Sequence, residues 1–186
     1  MTMTFAPTAL AGVLSIGYDP VADERGWFVR VYDEDAFAAR GLCTAFPHHA
    51  QARNARRGTI RGLHWQSEPY AETKVIRCIR GAAFDVLVDV RPESATFGQW
   101  AGFDLSDEAS AGLYVPAGIA HGYQTLADDT EFHYLLSERY HPEAARGIAF
   151  DSPELAIAWP AAPAVISERD RALPPFTKRG NPGGPR

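Results

Sequence analysis

The amino-acid sequence predicts an all-β protein, an antiparallel sandwich or barrel with a few short helices. Short, β-rich, partly alternating segments recur from Thr59 onward, and turn residues separate them. Helices of roughly 10–15 residues, which a doubly wound α/β sheet needs between its strands, are missing. The 186 residues suit one domain with arms, and 46% apolar content is enough for a packed core.

The elements follow in chain order. Residues 1–20 mix small apolar residues with Pro7 and Pro20 and form an N-terminal arm. Asp23-Glu-Arg-Gly26 reads as a turn, and 27–32 as a strand after it. Residues 33–40 form the clearest helix, with acidic residues first, Arg40 last and Gly41 behind it. Strands are expected over 74–79, 83–90, 99–105, 112–115, 121–126 and 131–136. The domain is expected to span 1–176, and the Gly/Pro-rich stretch 177–186 to form a flexible tail.

Composition narrows the function. Net charge is −5 with no long basic run, which argues against nucleic acid as a partner. Two cysteines, Cys43 and Cys78, indicate no disulfide framework. No apolar run reaches membrane-spanning length and no Lys/Arg-led apolar signal opens the chain, so a cytoplasmic protein is expected.

The stretch Gly58-Thr-Ile-Arg61-Gly-Leu-His64-Trp-Gln66 carries the most chemistry. Arg61 and His64 are three apart and fall on opposite faces of a regular strand. Gly62 between them can absorb a bulge that re-aims one, so a cation and an ionisable base can meet one site. Candidate partners for His64 are Asp85, Asp89, His121, His133, Tyr134 and Asp170. Asp85, Leu87 and Asp89 share one face of their strand. The sequence leaves open whether that face meets solvent or lines a ligand cavity. His121 follows the turn 116–118 and is placed either at the mouth of a barrel or on its surface. His133 and Tyr134 point to opposite faces, so only one of them can enter a cavity. His64 lacks the His-x-His pairing of jelly-roll metal sites, and His48-His49 faces two ways on a strand. No metal is expected.

Several motifs taken together carry a resemblance. They are Asp23-Glu-Arg-Gly26, Arg61-Gly-Leu-His64-Trp-Gln, Lys74-Val-Ile-Arg-Cys, Phe84-Asp-Val-Leu-Val-Asp-Val-Arg91, Ser94-Ala-Thr-Phe-Gly-Gln-Trp100, Tyr114-Val-Pro-Ala-Gly-Ile-Ala-His121-Gly, Tyr134 with Tyr140-His-Pro, Ile157-Ala-Trp-Pro160 and Ser167-Glu-Arg-Asp170. In this order and spacing, over about residues 15–176, the chain resembles the dTDP-4-dehydrorhamnose 3,5-epimerase family. The resemblance implies a cupin-type jelly roll, a homodimer, and an isomerase that needs no metal or redox cofactor. Its substrate would be a nucleotide-diphosphate sugar bearing a 4-keto-6-deoxy unit. His64 matches the catalytic base, Asp170 the carboxylate that orients it, Tyr134 the acid on the opposite face of the sugar, and Lys74 a cation near the keto oxygen. Arg25, Arg61 and His121 match substrate-contacting positions, and Tyr140 and Arg169 the nucleotide end.

The implied chemistry suits these residue types. Protons at C3 and C5 are both α to the carbonyl, and a neutral His removes one only where the enolate is stabilised. The chain departs from the family at Arg30, His49, Gln51 and Ala145, where a Glu, a Gln-x-Asn pair and a second Glu are usual. Those positions help hold the nucleotide, so another base, another 4-keto sugar or inversion at one carbon are alternatives. A 4-keto-sugar ketoisomerase and a non-catalytic sugar-binding jelly roll are the competing classes. The strand 27–32 is expected to pair with a second copy and carry Arg25 to the neighbouring site.

Overall fold

The computed structural model describes residues 2–178. It contains β1 (Met3–Pro7), β2 (Leu14–Tyr18), β3 (Val21–Asp23), β4 (Gly26–Phe28), α1 (Glu34–Ala38), β5 (His48–Asn54), β6 (Ile60–Gln66) and β7 (Lys74–Arg80). These are followed by β8 (Ala82–Asp89), β9 (Trp100–Ser106), β10 (Ala111–Val115), β11 (Ile119–Thr125), β12 (Thr130–Leu136), β13 (Ala145–Gly147) and α2 (Glu168–Arg171). A six-stranded sheet in the order β1-β2-β10-β7-β12-β5 faces a five-stranded sheet in the order β13-β6-β11-β8-β9. The named strand pairings are antiparallel, so the expected jelly-roll sandwich is the fold. Among the described residues no helix is long and apolar enough to cross a membrane.

Strand β8 shows how its sequence sets the layers. Val86, Val88 and Val90 pack outward with Leu63, Trp65, Ile148 and Phe176 beneath the C-terminal segment. Leu87, on the other face, joins Ile76, Leu113, Tyr123 and Phe132 between the sheets. Asp85 and Asp89 share that inner face and are fully buried, which settles the alternative left open above in favour of the interior.

A third cluster covers the outer face of the six-stranded sheet, where Phe37 of α1 packs among Ile16, Phe46 and Tyr114. Five residues are too few to hold a helix alone. Asp33 caps it by accepting a hydrogen bond from the Ala36 N–H at 3.1 Å, and the fully buried Phe37 ring contributes about 2–3 kcal/mol.

The strand expected over 27–32 is shorter. Pairing ends at Phe28, and Val29, Val31 and Tyr32 leave the hairpin to pack on Phe37's cluster. Strands β1 and β5 have no apolar alternation to announce them, because both are edge strands with mostly exposed side chains. Residues 179–186 of the expected tail lie outside the described residues. Lys178 does not, and its N–H donates to Glu154 Oε2 at 2.9 Å.

The buried Asp89 carboxylate organises the turn that follows β8. It accepts hydrogen bonds from Ser94 Oγ at 2.5 Å, Thr96 Oγ1 at 2.6 Å and Arg91 Nη2 at 2.7 Å. Burial alone would raise its pKa, but these donors outweigh burial and hold it below the ordinary 3.8. A depressed carboxylate contributes stability that is present above 3.8 and is lost as pH falls through the lower folded value. Asp89→Asn is expected to cost roughly 2–3 kcal/mol at pH 7, about 5–10 °C in Tm. In thermal melts the gap to wild type should shrink below pH 3.8. A gap that stays constant down to pH ~2.5 would sink this account.

Candidate active site

A cavity of about 370 Å³ opens between the sheets near one end of the sandwich. Arg61, His64, His121 and Tyr123 enter it from the five-stranded sheet, and Lys74 and Tyr134 from the six-stranded one. Ser167, Arg169 and Asp170 close one side from the α2 segment.

Strand β6 solves the parity problem posed by Arg61 and His64. His121 pairs with His64 and Tyr123 with Arg61, so three steps along β6 match two along β11. The extra residue is a bulge at Gly62, which has φ +115°. A Cβ there would lie 2.5 Å from Gly122 Cα and 2.7 Å from the His121 carbonyl oxygen. Only glycine permits this approach, and it turns base and guanidinium into one cavity.

His64 Nε2 lies 2.7 Å from Asp170 Oδ1. Asp170 is buried on α2, where its N–H donates to the capping Ser167 Oγ at 3.1 Å, and its Oδ2 accepts the Gly62 N–H at 3.3 Å. Burial raises its pKa, but the His64 hydrogen bond and charge, with Gly62 and Ser167, hold it below the carboxylate range. The carboxylate accepts Nε2–H, so Nδ1 is the basic nitrogen of the ring. Of the partners suggested for His64, the structure selects the one 106 residues away.

His121 Nε2 sits 2.7 Å from Asp85 Oδ2, and Asp85 Oδ1 has no hydrogen-bond partner. Lys74 Nζ forms an ion pair with Glu72 Oε1 at 3.0 Å, both side chains being largely buried. Tyr134 packs against Phe132 and His121. Burial, then the neighbouring Tyr123 and Asp85, raises its pKa well above 10.0, so it holds its proton through neutral and mildly alkaline pH. His133 points away and meets His49 on the outer face.

Arg61 and Arg169 lie on the exposed rim, where Arg169 Nη2 donates to the Tyr140 hydroxyl at 3.4 Å. Tyr140 is 61% exposed. Arg25 is not brought to the cavity. It sits on the β3–β4 hairpin, bonded to Asp23, beside the exposed Trp27 and Phe28. His49 and Gln51 also stay out of the cavity wall, because β5 turns the intervening Ala50 and Ala52 inward and Ala52 lines it. Arg30 is tied to Asp33, and Ala145 pairs with Gln66. Asn54, Glu72 and Tyr123 escaped the sequence reading. Glu72 had a faint signal, two residues before Lys74, and so had Tyr123, on the face of β11 that carries His121, whereas Asn54 had none. Among the described residues no three His, Cys, Asp or Glu side chains converge to hold a metal ion.

Fold and site together define a proton-transfer enzyme of jelly-roll type, with a carboxylate–histidine pair facing a protonated tyrosine across a sandwich. Comparison with known proteins makes this specific. The family model for dTDP-4-dehydrorhamnose 3,5-epimerase matches residues 7–178. The dTDP-4-dehydrorhamnose 3,5-epimerase of Sinorhizobium fredii is 41% identical over 173 residues, 92% of this chain and 89% of that one. The crystal structure of the Bacillus anthracis dTDP-4-dehydrorhamnose 3,5-epimerase with TDP and pyrophosphate bound superposes with TM-score 0.91 at 36% identity, covering 94% and 100% of the two chains. That of the Legionella pneumophila epimerase in complex with dTDP-4-keto-L-rhamnose gives 0.87 at 32% identity, covering 95% and 100%. The chain belongs to the dTDP-4-dehydrorhamnose 3,5-epimerase family.

Gly62→Ala tests the bulge. The added Cβ should force β6 and β11 apart, costing about 2–4 kcal/mol from strain and overpacking. It should also displace His64 enough to lower kcat by about 100-fold. A variant with wild-type Tm and kcat would remove the close approach from the design of the site.

Proposed function

We propose that this protein is an isomerase that epimerises a nucleotide-linked 4-keto-6-deoxy sugar, as dTDP-4-dehydrorhamnose 3,5-epimerase does. The observation that carries this reading is the placement of His64, paired with Asp170 of α2, on one sheet and of Tyr134 and Lys74 on the facing sheet of one cavity. A sugar ring lying between them offers one face to a base and the other to an acid.

In this reading His64 Nδ1 removes a proton α to the keto group, and Asp170 stabilises the resulting imidazolium. The Lys74 ammonium, oriented by Glu72, hydrogen-bonds the carbonyl oxygen as it becomes an enolate. Tyr134 delivers a proton to the opposite face of the same carbon, which inverts it. His121, held by Asp85, contacts the sugar. Arg61 and Arg169 neutralise the diphosphate at the rim, and Tyr140 offers its exposed ring to the base. This sequence of proton transfers requires no metal and no redox cofactor. Residues 1–176 act as a single catalytic domain, and the free Cys43 and Cys78 suit a reducing cytoplasm.

His64→Asn is expected to lower kcat by about 1,000-fold or more, and Asp170→Asn by roughly 10–100-fold, with the fold intact by circular dichroism. Tyr134→Phe should still exchange substrate protons with deuterated solvent through His64 while inverted product falls sharply. Mass spectrometry and NMR of one reaction read both. Unchanged inversion would reduce Tyr134 to packing.

The working unit in this proposal is a homodimer. The hairpin carries Trp27 at 65% and Phe28 at 66% exposure, beside Arg25, which has no role in its own cavity. Against a second copy, the hairpin would bury both rings and extend Arg25 towards the diphosphate held at the neighbouring rim. Sedimentation should show a dimer at micromolar concentration. Arg25→Ala should raise KM severalfold at unchanged kcat. A monomer at that concentration would refute the assembly.

A further inference from the structure

A chain of polar contacts that the mechanism above leaves unused runs from Arg61 through Asn54 to Tyr123, which shares the cavity with Tyr134. Arg61 Nε donates to Asn54 Oδ1 at 2.8 Å. The Tyr123 hydroxyl donates to the same Oδ1 at 3.3 Å. Asn54 Nδ2 donates to the Thr130 carbonyl at 3.1 Å. The amide orientation is chemically determined, because Thr130 O can only accept and Arg61 can only donate. Asn54 and Tyr123 are each 2% exposed, so water does not substitute for these partners.

Both tyrosines face the cavity. The Tyr123 ring stacks on Phe132 at 4.2 Å, and Phe132 lies 6.0 Å from Tyr134 and nearly parallel to it. The stack sets the two phenols in one cavity from opposite sheets, near enough for Tyr123 to raise the Tyr134 pKa. The Tyr123 proton is committed to Asn54, which leaves its oxygen lone pairs free to accept.

We propose that Tyr123, which shares the Asn54 amide oxygen with Arg61, is a positioning residue for Tyr134 through its own hydroxyl. The inference rests on Tyr134 being the acid. In the resting site the Tyr134 O–H donates to Tyr123 Oη. During turnover the Tyr134 proton passes to the enolate carbon, forming a C–H bond and leaving a tyrosinate. The Tyr123 O–H then turns from Asn54 Oδ1 to the new anion and gives it a hydrogen bond in a water-poor cavity. The proton count is unchanged by this turn, since Tyr123 keeps its proton throughout. Asn54 Oδ1 meanwhile keeps Arg61 Nε, so the guanidinium that meets the diphosphate stays in register with the acid.

The experiment measures solvent deuterium exchange and inversion in one reaction for wild type, Tyr123→Phe, Asn54→Ala and Tyr134→Phe, with melts on each. Tyr123→Phe loses one oxygen and keeps the stack, so it should melt within a few degrees of wild type. Its inversion should fall by about 10- to 100-fold, as for loss of one donor to a developing anion, while exchange through His64 and KM stay within about twofold. The exchange-to-inversion ratio therefore rises by the same factor. Asn54→Ala keeps the Tyr123 hydroxyl, so its ratio should stay near wild type while KM rises severalfold as Arg61 loses its anchor. An unchanged ratio in folded Tyr123→Phe, or an equal rise in Asn54→Ala, would overturn the proposal. Should Tyr134→Phe itself invert normally, the acid assignment falls. Should it lose inversion while Tyr123→Phe behaves as wild type, only the coupling falls.

Discussion

The close contact of β6 with β11 at Gly62 and Gly122 is the constraint on which the site depends. A regular β6 would send Arg61 and His64 to opposite faces of the sheet. The bulge instead pairs Arg61 with Tyr123 and His64 with His121, so four functional side chains enter one cavity from two strands. It also turns the Gly62 N–H towards Asp170, so the same backbone irregularity that aims His64 binds the carboxylate that pairs with it. Packing limits the motif: with Gly122 Cα within 2.5 Å of any Cβ at position 62, no side chain fits between the strands.

Electrostatics in the cavity follow one scheme. Each basic side chain that reaches inward has its own carboxylate: Asp170 for His64, Asp85 for His121, Glu72 for Lys74. A buried charge without a partner is costly, whereas a paired one is held in a defined orientation at tolerable cost. The rim differs. Arg61 and Arg169 are exposed and leave donors for an anionic ligand. Tyr134 is the neutral member, and burial keeps it so.

Much of this was legible in the chain. The alternation in 83–90, with valines on one face and Asp85, Leu87 and Asp89 on the other, is what the two cores require. The opposition of His133 and Tyr134 was readable from a period of two. Strands β1 and β5 were not legible, because exposed edge strands have no apolar face to bury and so no pattern. The hairpin strand ended early because Val29 and Val31 satisfy their burial against Phe37 rather than by pairing. Arg25 was legible as a motif residue, yet within one chain it lies away from the cavity.

The sequence by itself determined the alternating strands, the glycine that permits the bulge, and the catalytic residue types, since each is a local property of period, backbone freedom or side-chain chemistry. Tertiary structure alone decided which groups meet. His64 had six candidate partners in the chain, and only the docking of α2 on β6 selected Asp170. Asn54 carries no local mark, and its bonds to Tyr123 and Thr130 exist only where β5, β11 and β12 converge. The physical reason is that a hydrogen bond between residues 69 positions apart, as in Tyr123–Asn54, is set by sheet register and layer spacing, which no window of neighbouring residues encodes.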